Sequence, residues 1–555
     1  MTITSATSTT AADRLTLRDI WLLVVACSAL SAVVAAMASL NIALSEIAPD
    51  IGASSTQITW LVDGYTLTLA ALLLPCGALG DRFGRRGVLV VGLVVFAAAS
   101  VAAILLSSPT EIIATRVVAG AGAALVMPAT LSLITSGVPE SKRPLAVSIW
   151  AGVAGGAAII GFFVTGLLLE FFPWHSIFIA FAIAAGVMAA LALTIGTSRD
   201  SDPPPFDVLG SIASAAAVAA VVFGLIEGPV RGWADPLVLV GLIGGLALGG
   251  VFVALQLRGR RTLLDVRLFR RRAFGAGSLA IALQFVGSFG VFFLILQRFQ
   301  LIMGYSPLRS AVALIPLVLI VMVTSLLGNW LAVRFSFRAV LPTGMFLFGA
   351  GIVILGVFDS DDYWVITAQV SVMAIGLGLS TAPATTGIMV STPADNQGVA
   401  SAVNDTSREL GAAIGMALGG SIVAAGFTTR IAGTVEATRE QLRAVADQLS
   451  SAGRVAEGQS ILGQIDVITD RIGRSLAEAS AVSDQLRQRI PGPVADTIAS
   501  GARNAFLQPM SQAYVVLGSI VLVGSVVLAF WTPTRMPEAQ DAAPIDTGAA
   551  RATED

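Results

Sequence analysis

Fourteen apolar stretches divide the 555 residues, near 21–44, 58–79, 88–107, 111–136, 145–169, 175–196, 208–228, 235–257, 274–302, 308–333, 340–358, 363–391, 399–427 and 511–532. Each is about long enough to cross some 30 Å of hydrocarbon as a helix. The chain is 55% hydrophobic and 12% charged, with a mean hydropathy of +0.84, where a soluble domain carries about 25% charge. An all-α integral membrane protein is expected. Cys27 and Cys76 fall inside apolar runs and are read as small core residues. Residues 1–20 are polar without a basic region and cleavage site, so the first apolar run is expected to remain as an uncleaved span.

An even number of spans puts both termini on one side, and the arginines choose it. The loops after spans 2, 4, 8 and 10 carry Arg82, Arg85 and Arg86, then Lys142 and Arg143, then "RGRRTLLDVRLFRRR", then Arg334 and Arg338. The loops after spans 1, 3, 5 and 11 have no Lys or Arg. Basic loops stay cytoplasmic, so both termini are expected inside a bacterial cell membrane. Near-exclusive use of Arg over Lys hints at a GC-rich bacterial source. His175 falls in an outer loop beside Trp174 and is read as an interfacial polar residue or, alternatively, as a proton relay.

The chain repeats itself. "LGDRFGRRGVL" (79–89) matches "LAVRFSFRAVL" (331–341), aligning Arg82 with Arg334 and Arg86 with Arg338. "MPATLSLITSGVPE" (127–140) matches "APATTGIMVSTPAD" (382–395) at nearly the same offset. Two six-span halves follow, 21–200 and 261–532, separated by two inserted spans in 201–260. Parallel halves of this kind suit alternating access around a central site. Residues 431–510, between the last two spans, show apolar spacing at Leu442, Val445 and Leu449 and at Ile461, Ile465, Ile468 and Ile472. Two amphipathic helices outside the membrane are expected there, broken between Gly453 and Gly458 and at "PGP" (491–493). Residues 533–555 look disordered.

"GALGDRFGRR" (77–86), "RVVAGAGAALVMPA" (116–129), "WLVDGYTLTLA" (60–70) and "VNDTSRELG" (403–411) resemble motifs of the major facilitator superfamily, in particular its fourteen-span drug:proton antiporter branch. The resemblance covers about residues 20–430 and 505–535. It implies a major facilitator fold, two six-helix halves plus two inserted spans, and a carrier in place of an enzyme.

In the first motif Gly77, Gly80 and Gly84 permit tight turning and close approach. Asp81 is placed to bond helix-end amides or arginines. With Arg82, Arg85 and Arg86 this makes a latch that breaks when the halves rock. The bland alternative, a basic topogenic loop, leaves the glycines and Asp81 unexplained. Arg116 sits within the fourth span, where it needs an acid, a substrate or water; snorkelling to the interface is the alternative. Asp63 shares a helix face with Thr59 and Thr66. Asp405 and Glu409 share another, with Arg408 able to pair with either. The resemblance makes these acids proton or cation sites; an internally satisfied cluster is the rival for Asp405 and Glu409. Thr59, Thr66, Gln284, Ser288 and Phe289 are candidates to line a cavity for drug-sized ligands.

Two departures stand out. Position 36, where the family usually has an acid, is Ala36, and the fifth-span motif has Phe162 and Thr165 in place of a proline and a glycine. Gly411, Gly415 and Gly419 form a small-residue stripe that packing explains without a dimer. No Walker A pattern or metal-spaced His/Cys cluster is present, so neither direct ATP use nor a cofactor is expected, and nothing points to nucleic acid. Three functions remain open: proton-coupled export of amphipathic or cationic small molecules, export or flipping of a native lipid or cell-envelope precursor, and a non-transporting sensor or scaffold.

Overall fold

A computed structural model describes residues 15–53, 55–196, 206–259, 262–393, 396–489 and 493–535. Most of the N-terminal tail, the "PG" of the expected 491–493 break and the expected disorder beyond 535 lie outside the described residues.

Seventeen α-helices make up the described chain: α1 Leu17–Ile51, α2 Ser55–Phe83, α3 Arg85–Leu105, α4 Pro109–Gly137, α5 Arg143–Phe171, α6 His175–Ala192, α7 Val208–Arg231, α8 Pro236–Arg258, α9 Arg272–Gln297, α10 Pro307–Ala313, α11 Ile315–Arg334, α12 Phe337–Val357, α13 Tyr363–Val390, α14 Gln397–Ser451, α15 Val455–Arg474, α16 Leu476–Arg489 and α17 Val494–Trp531. Fourteen segments are long and apolar enough to span a membrane. Helix is the form that lets such segments satisfy their own backbone groups in lipid.

The two halves repeat one packing scheme. In the first, α3 packs on α4 and α6, α2 on α4, and α1 on α5; in the second, α12 packs on α13 and α17, α11 on α13, and α9 on α14. The matched sequences 127–140 and 382–395 place Pro128 inside α4 and Pro383 inside α13. Across the halves, α2 meets α14 and α5 meets α11, a pair of contacts that the same correspondence exchanges. Of the inserted helices, α8 packs on α7, and α7 touches both α2 and α14. The insert therefore lies along the seam between the halves.

Four features depart from fourteen simple spans. Helix α1 begins at Leu17, inside the expected tail: Thr16 donates from its amide and hydroxyl to Asp19 Oδ2 at 2.8 Å each, a capping arrangement that starts the helix early. The tenth span is two helices with Leu314 between them, because Pro316 supplies no amide proton there. Helix α9 ends in a π-helical turn, Arg298–Ile302.

The fourth difference is the largest. Helix α14 runs unbroken for 55 residues, so the first of the two amphipathic helices expected at 431–510 is the continuation of a membrane helix, and the second is α15. Residues 427–451 contain no proline and are rich in Ala, Arg, Glu and Gln, which sustain helix on leaving lipid for water. α15 and the start of α17 pack on this extension, and α16 packs on α15 and α17, around Leu442, Ile465, Ile472, Val482 and Ile498. The break comes at Gly453, whose φ of +84° ends α14. Gly458 lies inside α15, where a Cβ would stand 2.6 Å from the carbonyl oxygen of Ala446; its smallness serves close packing and not a turn.

Candidate functional site

Asp405 lies eight residues into α14, roughly 12 Å along the helix from its start, and is 0% exposed. Its Oδ1 accepts from Asn404 Nδ2 at 3.2 Å, and Asn404 Oδ1 accepts from Thr385 Oγ1 of α13 at 3.1 Å. Arg408, one turn on, holds Nη1 3.6 Å from Asp405 Oδ1. Its guanidinium lies 4.7 Å from the ring centroid of Phe285 on α9 and 5.4 Å from that of Trp150 on α5. Trp150 belongs to the other half and is pinned by its Nε1 donating to Thr130 Oγ1 at 3.2 Å. Asp405 Oδ2, Arg408 Nε and Ser288 Oγ are buried without hydrogen-bond partners among the described residues. Glu409 is half-buried and lies in electrostatic reach of Arg408 and of Tyr65 on α2. The halves thus meet at a charged, aromatic cluster that leaves hydrogen-bonding capacity unused.

Arg116 does not snorkel. It is 2% exposed, its guanidinium lies 4.4 Å from the Tyr65 ring centroid, and Nε and Nη2 donate to the carbonyl oxygens of Leu61 and Ala36 at 3.2 and 3.3 Å. The residue that stands where the resemblance expects an acid therefore contacts Arg116 through its backbone. Among the described residues no carboxylate pairs with Arg116.

Asp63 points elsewhere. Leu61 and Tyr65 face the core of the first half, whereas Trp60, Leu67 and Ala70 face α7, with Trp60 and Phe223 6.2 Å apart between ring centroids. Asp63 is half-buried, and the charge that acts on it is Glu227 of α7. Glu227 is 5% exposed and paired with Arg231. Asp63 therefore has an acid of the insert within electrostatic reach, and it is not brought to Arg116. Thr66 donates to the Asp63 carbonyl oxygen at 3.2 Å; the side chain of Thr59 lies outside the described residues.

At the end of the bundle holding Arg82, Arg85 and Arg86, the basic end, Asp81 joins the halves. It accepts from Arg85 Nε and Nη2 at 3.0 and 2.7 Å, and from the amides of Gly398 and Val399 at 2.8 and 3.0 Å. Its carboxylate caps the exposed donors at the start of α14. A Cβ on Gly77 would stand 2.5 Å from the carbonyl oxygen of Gly398, so only glycine admits this approach. Gly84 makes the turn with φ of +101°. Gly80 differs from expectation: a Cβ there would meet only Arg85 Cγ at 3.9 Å, so no close approach depends on it. Arg86 donates to the Ile195 carbonyl oxygen at the end of α6 at 3.1 Å, and Arg82 lies over Phe83.

The candidate lining residues separate. Gln284 spends its amide on α13, donating to Ser380 Oγ at 2.8 Å and accepting from Thr381 Oγ1 at 3.0 Å, so it ties helices together and is not a free anchor. Phe289 is half-buried and stacks on Phe285 with centroids 5.5 Å apart, and Ser288 keeps its unpartnered hydroxyl. Gly411 and Gly415 pack on α9, where added Cβ atoms would stand 2.3 and 2.2 Å from the carbonyl oxygens of Ala282 and Val286. His175 stacks on Trp174, whose Nε1 donates to Asp50 Oδ2 at 2.8 Å.

Three residues at these sites escaped the sequence reading. Trp150 carried a signal, an indole seven residues into α5; Asn404 lies within the charged stretch 403–411; Glu227 is an acid inside the inserted seventh span.

Two helical halves of like packing, joined by a capped helix end and enclosing buried charge, define a membrane transporter. The chain belongs to the Major Facilitator Superfamily, whose family model matches residues 24–416. It is 33% identical over 420 residues to the multidrug efflux pump LfrA of Mycolicibacterium smegmatis, covering 75% of this chain and 83% of that protein. It is 29% identical over 510 residues to the tetracenomycin C resistance and export protein of Streptomyces glaucescens, covering 91% and 89%. The methyl viologen resistance protein SmvA of Salmonella typhimurium is 28% identical over 497 residues, covering 88% and 94%. The proton:xylose symporter XylE superposes with a TM-score of 0.57 at 12% identity, covering 95% of this chain and 98% of that one, a likeness of fold alone. The chain is thus a multi-pass membrane transporter related to drug-efflux and antibiotic-resistance exporters.

Proposed function

We propose that this protein exports amphipathic or cationic small molecules by proton antiport with alternating access, its basic end and both termini facing the cytoplasm. The observation that carries the reading is the buried Asp405–Arg408–Glu409 cluster, set between aromatic side chains where the halves meet. Carboxyls there and at Asp63 exchange protons with the outer side and give them up when a cation arrives from within. Asp81 and Gly77 form the latch that holds the cytoplasmic side closed and opens as the halves rock. One proton crossing 100 mV supplies about 2.3 kcal/mol, enough for modest accumulation per proton. The relative named for multidrug efflux supports small-molecule export, and the one named for resistance to methyl viologen, a dication, supports a cationic cargo.

The test is proton release from acid-loaded inverted vesicles on adding ethidium, comparing wild type with Asp405→Asn, Glu409→Gln and Asp63→Asn at equal expression. Release in wild type and its loss in a carboxyl variant supports antiport through that acid. No release across a broad panel of lipophilic cations sinks the proposal and turns the search to lipid or envelope-precursor cargo.

A further inference from the structure

Arg408 is an unusual buried arginine. Arg85 closes two hydrogen bonds on Asp81, at 3.0 and 2.7 Å, and Arg116 spends Nε and Nη2 on carbonyl oxygens. Arg408 instead stands 3.6 Å from its carboxylate, beyond hydrogen-bond length, with Nε unpartnered and Asp405 Oδ2 equally so. What it does fill is the space between Trp150 and Phe285. Two aromatic faces beside a carboxylate make a seat for an organic cation. In this conformation the seat is taken by a guanidinium tethered to the same helix as the carboxylate.

We infer that Arg408 is a built-in competitor for the cargo's cation seat. The inference rests on the cationic-cargo reading above and adds to it the residue that sets affinity and selectivity. An incoming lipophilic monocation displaces the guanidinium from Trp150 and Phe285 and takes its place beside Asp405. The displaced side chain then turns toward Glu409, its neighbouring acid, so the guanidinium and the cargo each keep a carboxylate partner. Because Trp150 comes from one half and Asp405, Arg408 and Phe285 from the other, either occupant bridges the halves. A cargo must therefore outcompete a tethered cation, which disfavours small hydrated cations lacking apolar surface to place against the two rings.

The experiment is equilibrium binding of tetraphenylphosphonium to the full-length purified protein in nanodiscs, for wild type, Arg408→Gln, Arg408→Lys and Arg408→Gln/Trp150→Leu. Removing the competitor is expected to tighten binding about tenfold in Arg408→Gln, near 1.4 kcal/mol. Arg408→Lys, which keeps the charge and guards against a variant that fails to fold, should tighten it by a smaller factor, because an ammonium stacks on aromatic faces less well than a guanidinium. Trp150→Leu should cancel most of the gain. A gain in affinity is not what a merely structural arginine would yield on removal. Wild-type binding with no gain in either folded Arg408 variant overturns this inference and leaves the cation-export reading standing. No binding by any folded form overturns both; binding by Arg408→Gln but not by wild type supports the competitor most directly.

Discussion

The amide of Gly398 donates to the carboxylate of Asp81 at 2.8 Å across 317 residues of sequence, and the Val399 amide joins it at 3.0 Å. One side chain of the first half thus caps the first turn of a helix belonging to the second. Such a bond exists only while the halves are closed at the basic end, so its strength sets how readily that end opens. Gly77→Ala should hold it open: a Cβ would stand 2.5 Å from the Gly398 carbonyl oxygen and 2.6 Å from Ala402 Cβ, and two backbones cannot absorb that. With spin labels at Phe83→Cys and Phe335→Cys, exposed positions at the last residue of α2 and just past α11, the distance distribution should move to longer values. An unchanged distribution refutes the latch.

Asp81→Asn offers a graded version. The amide keeps one acceptor oxygen but loses the charge that pairs with Arg85 and favours a helix start. Hydrogen bonds to charged groups are worth about 1.5–3 kcal/mol, so the closed state should lose population by roughly tenfold or more. Transport rate should fall while expression and thermal unfolding stay near wild type; normal transport with a normal label distance would count against the role.

The glycines of α5 divide by what they face. A Cβ on Gly161 would lie 2.7 Å from the Cα and carbonyl oxygen of Ala35 on α1, whereas on Gly155 it would meet Val321 Cγ1 of α11 at 3.5 Å, and on Gly186 of α6 nothing within 4 Å. Gly161→Ala should therefore destabilise by about 1–3 kcal/mol through overpacking. Gly155→Ala should be near neutral, and Gly186→Ala neutral or stabilising by up to about 1 kcal/mol. Thermal unfolding in detergent ranks the three, and equal melting temperatures would show that the α1–α5 approach tolerates a methyl group.

Asp63 and Glu227 supply a prediction about the inserted helices. Helices α2 and α7 pack together, the charge of Glu227 acts on Asp63, and Glu227 is held by Arg231. Asp63→Asn and Glu227→Gln each remove one side of the same like-charge interaction, so their effects on transport rate should not add. A double-variant cycle should give a coupling of about 0.5–3 kcal/mol. Simple additivity would mean that α7 is a passive filler of the seam.

Much of this was legible in the chain because membrane helices advertise themselves and because a duplicated sequence packs the same way twice. The stretch 403–411 was legible as a cluster since Asp405, Arg408 and Glu409 are three or four residues apart on one helix. What faces that cluster was not. Trp150 arrives from a different half, and nothing local to either segment encodes the meeting. Asp63 and Arg116 both looked like inward-facing charges, yet α2 shows Tyr65 to Arg116 and Asp63 to α7, a rotation that depends on where the insert docks. The unbroken α14 was hidden by the expectation that a helix stops where lipid ends, although its residues carry no stop before Gly453.

Arg116 gives the sharpest stability test. Its fork reaches two carbonyl oxygens on two different helices, Leu61 of α2 and Ala36 of α1, while its plane lies on Tyr65. A lysine replaces the planar fork with one compact point of contact, so it holds one of the two helices and gives up the charge-assisted bond to the other. Arg116→Lys should cost about 1–3 kcal/mol, read as a lowered melting temperature of the purified protein. Arg443→Lys, at an exposed position of α14, should stay within about 0.5 kcal/mol of wild type. If Arg116→Lys instead melts with wild type but transports slowly, the guanidinium serves the transport cycle and not the assembly of α1, α2 and α4. If it both melts and transports as wild type, the two carbonyl bonds are not what keeps a charge at this depth.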